Sequence, residues 1–221
     1  MNKIKKYLVV ALTLTLVTPL LVFAKGKSAK SSEKTTSVAK AAGSSSTETS
    51  VPSIPNVDGK TLVVYFSYSG TTEKVANAIA KEINAPIVKI EAEVPYTSAD
   101  VDWTDKNSRT QVEINDKIHP AIANSTYDAI NKVDYDTIII GHPIWGGIEP
   151  LIINTLLEHY DGFDGKNVYT FSTSYSSAGD KAFADIKNQV KNAKDYLHLS
   201  NRDMSKVDSL VKAWVSKNNL K

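Results

Sequence analysis

From residue 60 onward the chain repeats one pattern: a short apolar run, then a longer stretch in which apolar residues recur every three or four positions. "TLVVYFS" (61–67) is such a run, rich in β-branched and aromatic residues and without polar alternation. A strand of that kind is covered on both faces. "TEKVANAIAKEI" (72–83) then places Val75, Ala76, Ile79, Ala80 and Ile83 at helical spacing. The same reading predicts strands at 86–92, 135–143, 166–174 and 195–200, and helices at 149–160, 180–193 and 205–218. Pro150 is expected in the first turn of its helix and Ser205 as the cap of the last helix, whose apolar face is Val207, Leu210, Val211, Trp214 and Val215. The interruption at 93–134 predicts two short helices, near 110–117 and 125–132. Strands that alternate with helices need crossover connections, and these produce a parallel sheet with helices on both faces. An α/β domain with five parallel strands is expected over residues 58–221.

The N-terminal segment breaks this pattern. Lys3, Lys5 and Lys6 precede an apolar run from Tyr7 to Ala24, which ends in Val22-Phe23-Ala24 and reads as a signal peptide at 1–24. An uncleaved anchor is the alternative, so residues 7–24 are also a candidate membrane tether. Residues 25–57 are rich in Ser, Thr, Lys and Ala without apolar periodicity, and are expected to form a disordered linker spanning about 30 Å as a flexible coil. The expected location is therefore exported: secreted, or held at the cell surface.

Charge changes the picture once it is divided. The whole chain carries +2, but residues 1–57 hold eight Lys and two acids, so residues 58–221 are left at −4. A mildly acidic domain lacks the basic stripe that a nucleic-acid partner requires. The absence of cysteine excludes a disulfide framework, a lipid-modified cysteine, and thiolate ligation of an iron–sulfur cluster.

In an open parallel sheet, ligands collect beyond the carboxyl ends of the strands, where the winding direction reverses. The loop after the first strand is Ser67-Tyr68-Ser69-Gly70-Thr71-Thr72. Hydroxyls, a glycine and the N–H groups opening the next helix form an anion site suited to a terminal monophosphate. Neither the Gly-Lys pair of a nucleotide-triphosphate loop nor the G-x-G-x-x-G dinucleotide pattern is present.

"YFSYSGTTEKVA" resembles the phosphate loop of the flavodoxin family. The similarity continues through "IIIGHPIWGGIEPLIINTLLEHYDGFDGKNVYTFSTSYSS". The resemblance implies a flavodoxin-like open five-stranded parallel sheet of order 2-1-3-4-5, with FMN as cofactor. It implies that Ser67 to Thr72 hold the FMN phosphate, and that Pro143, Ile144, Trp145 and Gly146 of "GHPIWGG" line the isoalloxazine ring. In "STSYSSAGD", which is poorer in glycine than many relatives, it places Thr173, Ser174, Tyr175 and Gly179 at the other flavin edge. Tyr68 and Tyr175 are candidates to cover the ring.

The acids Asp100, Asp102, Asp105, Glu113 and Asp116 match no calcium-loop spacing and are read as a solvated face; the alternative, implied by the flavodoxin resemblance, is that this long segment lies near the flavin edge and shapes access. His119, His142, His159 and His198 lack ligand spacing and are read as surface or capping residues, so no metal is expected. The function expected is FMN-based electron transfer between redox protein partners, with no catalytic acid or base of the chain's own. A flavodoxin-fold reductase of quinones or other small acceptors, fed by a nicotinamide donor, and a flavin-free surface interaction protein remain the alternatives.

Overall fold

The structure is a computed structural model, and it describes residues 60–159 and 163–220. The segments read as signal or anchor (1–24) and linker (25–57) lie outside the described residues. Among the described residues the elements are, in chain order, β1 (Thr61–Tyr65), α1 (Thr71–Ile83), β2 (Ile87–Lys89), α2 (Arg109–Asp116), α3 (Asn124–Asn131), β3 (Thr137–Pro143), α4 (Leu151–His159), β4 (Asn167–Ser174), α5 (Asp180–Gln189), β5 (Ala193–Ser200), a 3-10 helix (Asn201–Lys206) and α6 (Val207–Lys217). The strands form one sheet in the order β2-β1-β3-β4-β5, with every pair parallel, as the alternating pattern predicts.

The uniformly apolar strands are explained by what covers them. Leu62, Val64, Ile138 and Ile140 face one core layer with Ile130 of α3, Ile152, Ile153 and Leu156 of α4, and Ile186 of α5. Val63, Tyr65, Ile139 and Phe171 face the other, with Val75, Ala76 and Ile79 of α1 and Val207, Val211, Trp214 and Val215 of α6. Successive strand residues point to opposite faces, so both sets must be apolar. Each fully buried Leu or Ile contributes about 1.5–3 kcal/mol.

Several boundaries differ from the sequence expectation. The second strand, expected at 86–92, pairs within the sheet only over Ile87–Lys89. Beyond it the chain leaves the sheet edge: Ala92 forms an antiparallel bridge with Ile122, flanked by the Glu93 N–H to Ala121 O and Ala123 N–H to Glu91 O bonds. This bridge closes the base of the long insertion. The helix expected at 180–193 ends at Gln189, because Val190 is extended and Ala193 is already paired with Val168 in the sheet. Pro150 stands just before α4 rather than within its first turn. Ser205 does not cap the last helix; it lies in the 3-10 helix, whose own start is a capping box between Ser200 and Asp203.

Candidate functional site

Three loops meet beyond the carboxyl ends of β1, β3 and β4. In the first, Ser67 Oγ accepts a hydrogen bond from Gly70 N–H at 3.1 Å, which closes a tight turn with Gly70 in the left-handed region at φ 85°. Gly70 is the N-cap position of α1, and no side chain caps that helix. The first-turn N–H groups of an α-helix have no partner within the helix. Here the helix opens toward the loop with hydroxyls alone for company. Ser69 Oγ and Thr71 Oγ1 lie 3.2 Å apart on the exposed side, whereas Thr72 is buried and its hydroxyl is 2.8 Å from that of Thr173 at the end of β4. The six-residue run therefore divides its labour: Ser67 shapes the turn, Thr72 ties the first loop to the third, and Ser69 and Thr71 are left facing outward.

The second loop leaves β3 through Pro143 and Ile144 and turns back at Gly146-Gly147. Trp145 N–H donates to Ile148 O at 2.9 Å and Ile148 N–H to Trp145 O at 3.1 Å, with φ 57° and 84° at the two glycines. Positive φ at both central residues is the two-residue hairpin geometry, which a side chain disfavours. Trp145 is half-buried and held edge-on by two rings, Phe66 and Tyr96, each with its centroid 5.4 Å away. Behind Tyr96, the Arg109 guanidinium lies 3.9 Å from the ring centroid, Arg109 Nε donates to Glu113 Oε1 at 2.7 Å, and Tyr96 hydroxyl donates to Glu113 Oε2 at 2.9 Å. The Trp145 ring is thus fixed by Phe66, which follows β1, and by a buttress drawn from the insertion.

In the third loop, Ser174 Oγ donates to Ser177 O at 2.6 Å and Tyr175 is 83% exposed. Asn201 N–H donates to Tyr175 O at 3.3 Å, which ties the loop to the start of the 3-10 helix.

Between these loops lies a cleft of about 770 Å³. Tyr68, Ser69, Thr72, Pro143, Ile144, Trp145, Gly146 and Tyr175, all candidates from the sequence, line it. A smaller adjoining cavity of about 270 Å³ adds Thr71, Thr173 and Ser174. Ser67 and Gly70 line neither cavity and set the turn. At Gly179 a Cβ would meet His198 Nδ1 at 2.7 Å and Ser172 Oγ at 2.8 Å. The glycine serves the packing of α5 on β4 and β5 and lines neither cavity.

The outer wall is built from side chains that the sequence did not single out. Val101 and Trp103 of the insertion and Thr110 and Gln111 of α2 line the cleft, with Gly147, Ser176 and Ser177. Nothing in their local pattern marks them, because they reach the site only through the long excursion closed by Ala92 and Ile122. The acidic segment is also not one solvated face. Asp100, Asp102 and Asp105 lie in turns before α2, and Glu113 is buried with Arg109 and Tyr96.

Two histidines are likewise more enclosed than surface residues, one buried and one half-buried. His142 is buried in β3, its Nδ1 lies 2.9 Å from Pro143 O, and burial lowers its pKa to about 4. His198 Nδ1 lies 2.8 Å from Ser172 Oγ, within the β4–β5 pair. His119 Nδ1 pairs with Glu158 Oε2 at 2.9 Å, and the His159 side chain lies outside the described residues.

A parallel sheet of order 2-1-3-4-5, with its cleft beyond strands one, three and four, is a doubly wound architecture that binds its ligand at the switch point. The model of the flavodoxin family matches residues 60–218, and the chain belongs to that family. Among solved structures, a candidate flavoprotein from Bacteroides eggerthii DSM 20697 is 36% identical, with a TM-score of 0.65, over 74% of this chain and 100% of that one. A candidate flavoprotein from Bacteroides uniformis ATCC 8492 is 38% identical, with a TM-score of 0.62, over 72% of this chain and 98% of that one. No curated protein gives a significant match.

Proposed function

We propose that the chain is an FMN-binding electron-transfer protein that works outside the cytoplasm. The observation that supports this best is the composition of the cleft. Neither it nor the cavity beside it is lined by a Lys, Arg, His, Asp or Glu side chain, and the uncapped start of α1 opens beside it. A neutral, partly aromatic trough next to unpaired N–H groups fits a ligand with a planar uncharged ring at one end and a phosphate at the other.

In this reading Ser69, Thr71 and the first-turn N–H groups of α1 hold the phosphate, since hydroxyls and oriented amides stabilise an anion without a lysine. Pro143, Ile144 and Trp145 offer the ring an apolar wall, and Gly146 and Gly147 leave backbone amides accessible to its polar edge. Bound FMN supplies one- or two-electron chemistry, and the protein supplies position and electrostatics. The Phe66, Tyr96, Arg109 and Glu113 buttress keeps Trp145 in place and excludes water behind it. The export reading rests on the N-terminal lysines and the apolar run that follows them.

Titration with FMN and with riboflavin, followed by flavin fluorescence, tests the assignment. FMN should bind much more tightly than riboflavin, and Ser69→Glu should abolish that difference by placing a carboxylate against the phosphate. Equal affinity for the two flavins would remove the phosphate from the α1 loop, and no binding of either would overturn the flavin reading.

A further inference from the structure

We propose that the mouth of the cleft contains a second, outer subsite, built on Trp103, for an uncharged planar ring of the quinone or neutral aromatic class. The subsite rests on the flavin reading above, because it takes its ligand beside the flavin rather than in its place. The starting observation is where the exposed hydrophobic residues lie. Five large apolar side chains are exposed among the described residues: Tyr68, Val94, Trp103, Ile118 and Tyr175. Single exposed hydrophobics are ordinary on any surface. Three of these five, Tyr68, Trp103 and Tyr175, line one cleft, and they arrive there from three separate loops.

Trp103 is the most informative of the three. It is 80% exposed, so its ring contributes little to the core. The backbone that carries it is nevertheless secured on both sides. Thr97 N–H and hydroxyl donate to Asp100 Oδ2 at 2.7 and 2.8 Å, and Thr104 N–H and hydroxyl donate to Asp102 Oδ1 at 2.8 and 2.7 Å. Thr110 N–H donates to Asp100 O at 3.0 Å, which ties the turns to the start of α2. A large aromatic ring is thus presented to solvent, at the edge of a cleft, on a hydrogen-bonded platform. Such a ring is a stacking surface whose partner is absent from the protein itself.

Charge selects the class of partner. The cleft lining offers no cation, and the two residues flanking Val101 are Asp100 and Asp102, whose carboxylates are held ionised by their threonine donors. A pyrophosphate or sulfonate would bring negative charge toward these acids with no counterion in the wall. A neutral ring meets no such penalty and gains the stacking face.

Calorimetric titration of the FMN-loaded protein with 1,4-naphthoquinone, with its 2-sulfonate and with NADH tests this, using wild type, Trp103→Ala and Trp103→Phe. The chain has no cysteine, so thiol addition to the quinone does not confound the measurement. The neutral quinone should bind, and both anions should bind about tenfold more weakly or not at all. Removing a stacking face should weaken the quinone about tenfold in Trp103→Ala, while Trp103→Phe retains most of the affinity and FMN affinity changes less than about twofold. Absence of quinone binding to wild type, equal affinity in wild type and Trp103→Ala, equal binding of the sulfonate, or a parallel loss of FMN affinity would each overturn the subsite. Failure of FMN itself to bind overturns the flavin reading separately. The same comparison, made on the flavin-free protein, then decides whether Trp103 still holds a neutral ring.

Discussion

Glu149→Gln should stabilise the protein at pH 8 and leave it almost unchanged near pH 4.5. Glu149 follows the glycine hairpin of the second loop and is only 2% exposed. Its Oε1 accepts from Asn154 Nδ2 at 3.3 Å, but its Oε2 and the Asn154 Oδ1 both lack a hydrogen-bond partner. Two acceptors cannot satisfy each other. A proton on Oε2 removes the buried charge and turns an unpartnered acceptor into a donor. Burial, reinforced by the nearby charge of Asp185, raises the carboxyl pKa from 4.5 to about 7.

The sign follows from proton uptake. Between pH 4.5 and about 7 the folded state binds a proton that the unfolded chain has lost, so stability from this group falls as pH rises through that window. Above it the full penalty applies, which for a shift of this size is roughly 3 kcal/mol at most, at about 1.4 kcal/mol per pKa unit. Glutamine is neutral at every pH, and its amide can donate where the protonated acid would. Urea unfolding of wild type and Glu149→Gln at pH 4.5, 6 and 8 reads the effect directly. The variant should gain about 2–3 kcal/mol over wild type at pH 8 and close to nothing at pH 4.5. A difference between the two proteins that does not change with pH would refute the buried, proton-holding carboxyl.

Thr72→Val leaves the buried Thr173 hydroxyl without its 2.8 Å partner and should cost about 1–3 kcal/mol, with Thr72→Val/Thr173→Val recovering most of it in chemical unfolding. Arg109→Met strips the buried Glu113 of its cation and should cost about 3–5 kcal/mol; adding Glu113→Gln should restore a large part, and an additive double variant would refute the coupling. Gly141→Ala puts a Cβ within 2.0 Å of Phe171 Cζ and should cost about 1–3 kcal/mol, relieved in part by Phe171→Leu. A fully stable Gly141→Ala would mean that the two strands are not packed through that ring.

The sheet was legible in the sequence because its signal is local. Apolar runs such as Leu62 to Phe66 and Ile138 to Ile140 are covered on both faces whatever their neighbours, and Val75, Ala76, Ile79 and Ala80 report a helix from spacing alone. The hydroxyl loop was legible for the same reason, since a strand, a glycine turn and a helix start are contiguous in the chain. What contiguity could not show was which hydroxyls are spent inside the protein. Ser67 and Thr72 look like Ser69 and Thr71 in sequence, but their oxygens are engaged with Gly70 and Thr173. Nor could contiguity show that the backbone of Gly179 packs closely against His198 and Ser172.

Tertiary structure alone decided the outer wall and the charge states. Trp103 and Gln111 reach the cleft because residues 91–93 pair with 121–123, a contact between segments about thirty residues apart that no local pattern encodes. Glu113 reads as one of several solvated acids until packing buries it with a cation, and burial raises the pKa of Glu149 to about 7. Backbone preference acts over a few neighbours and is written in each segment. Desolvation depends on everything packed around a group, so it exists only once the chain has folded.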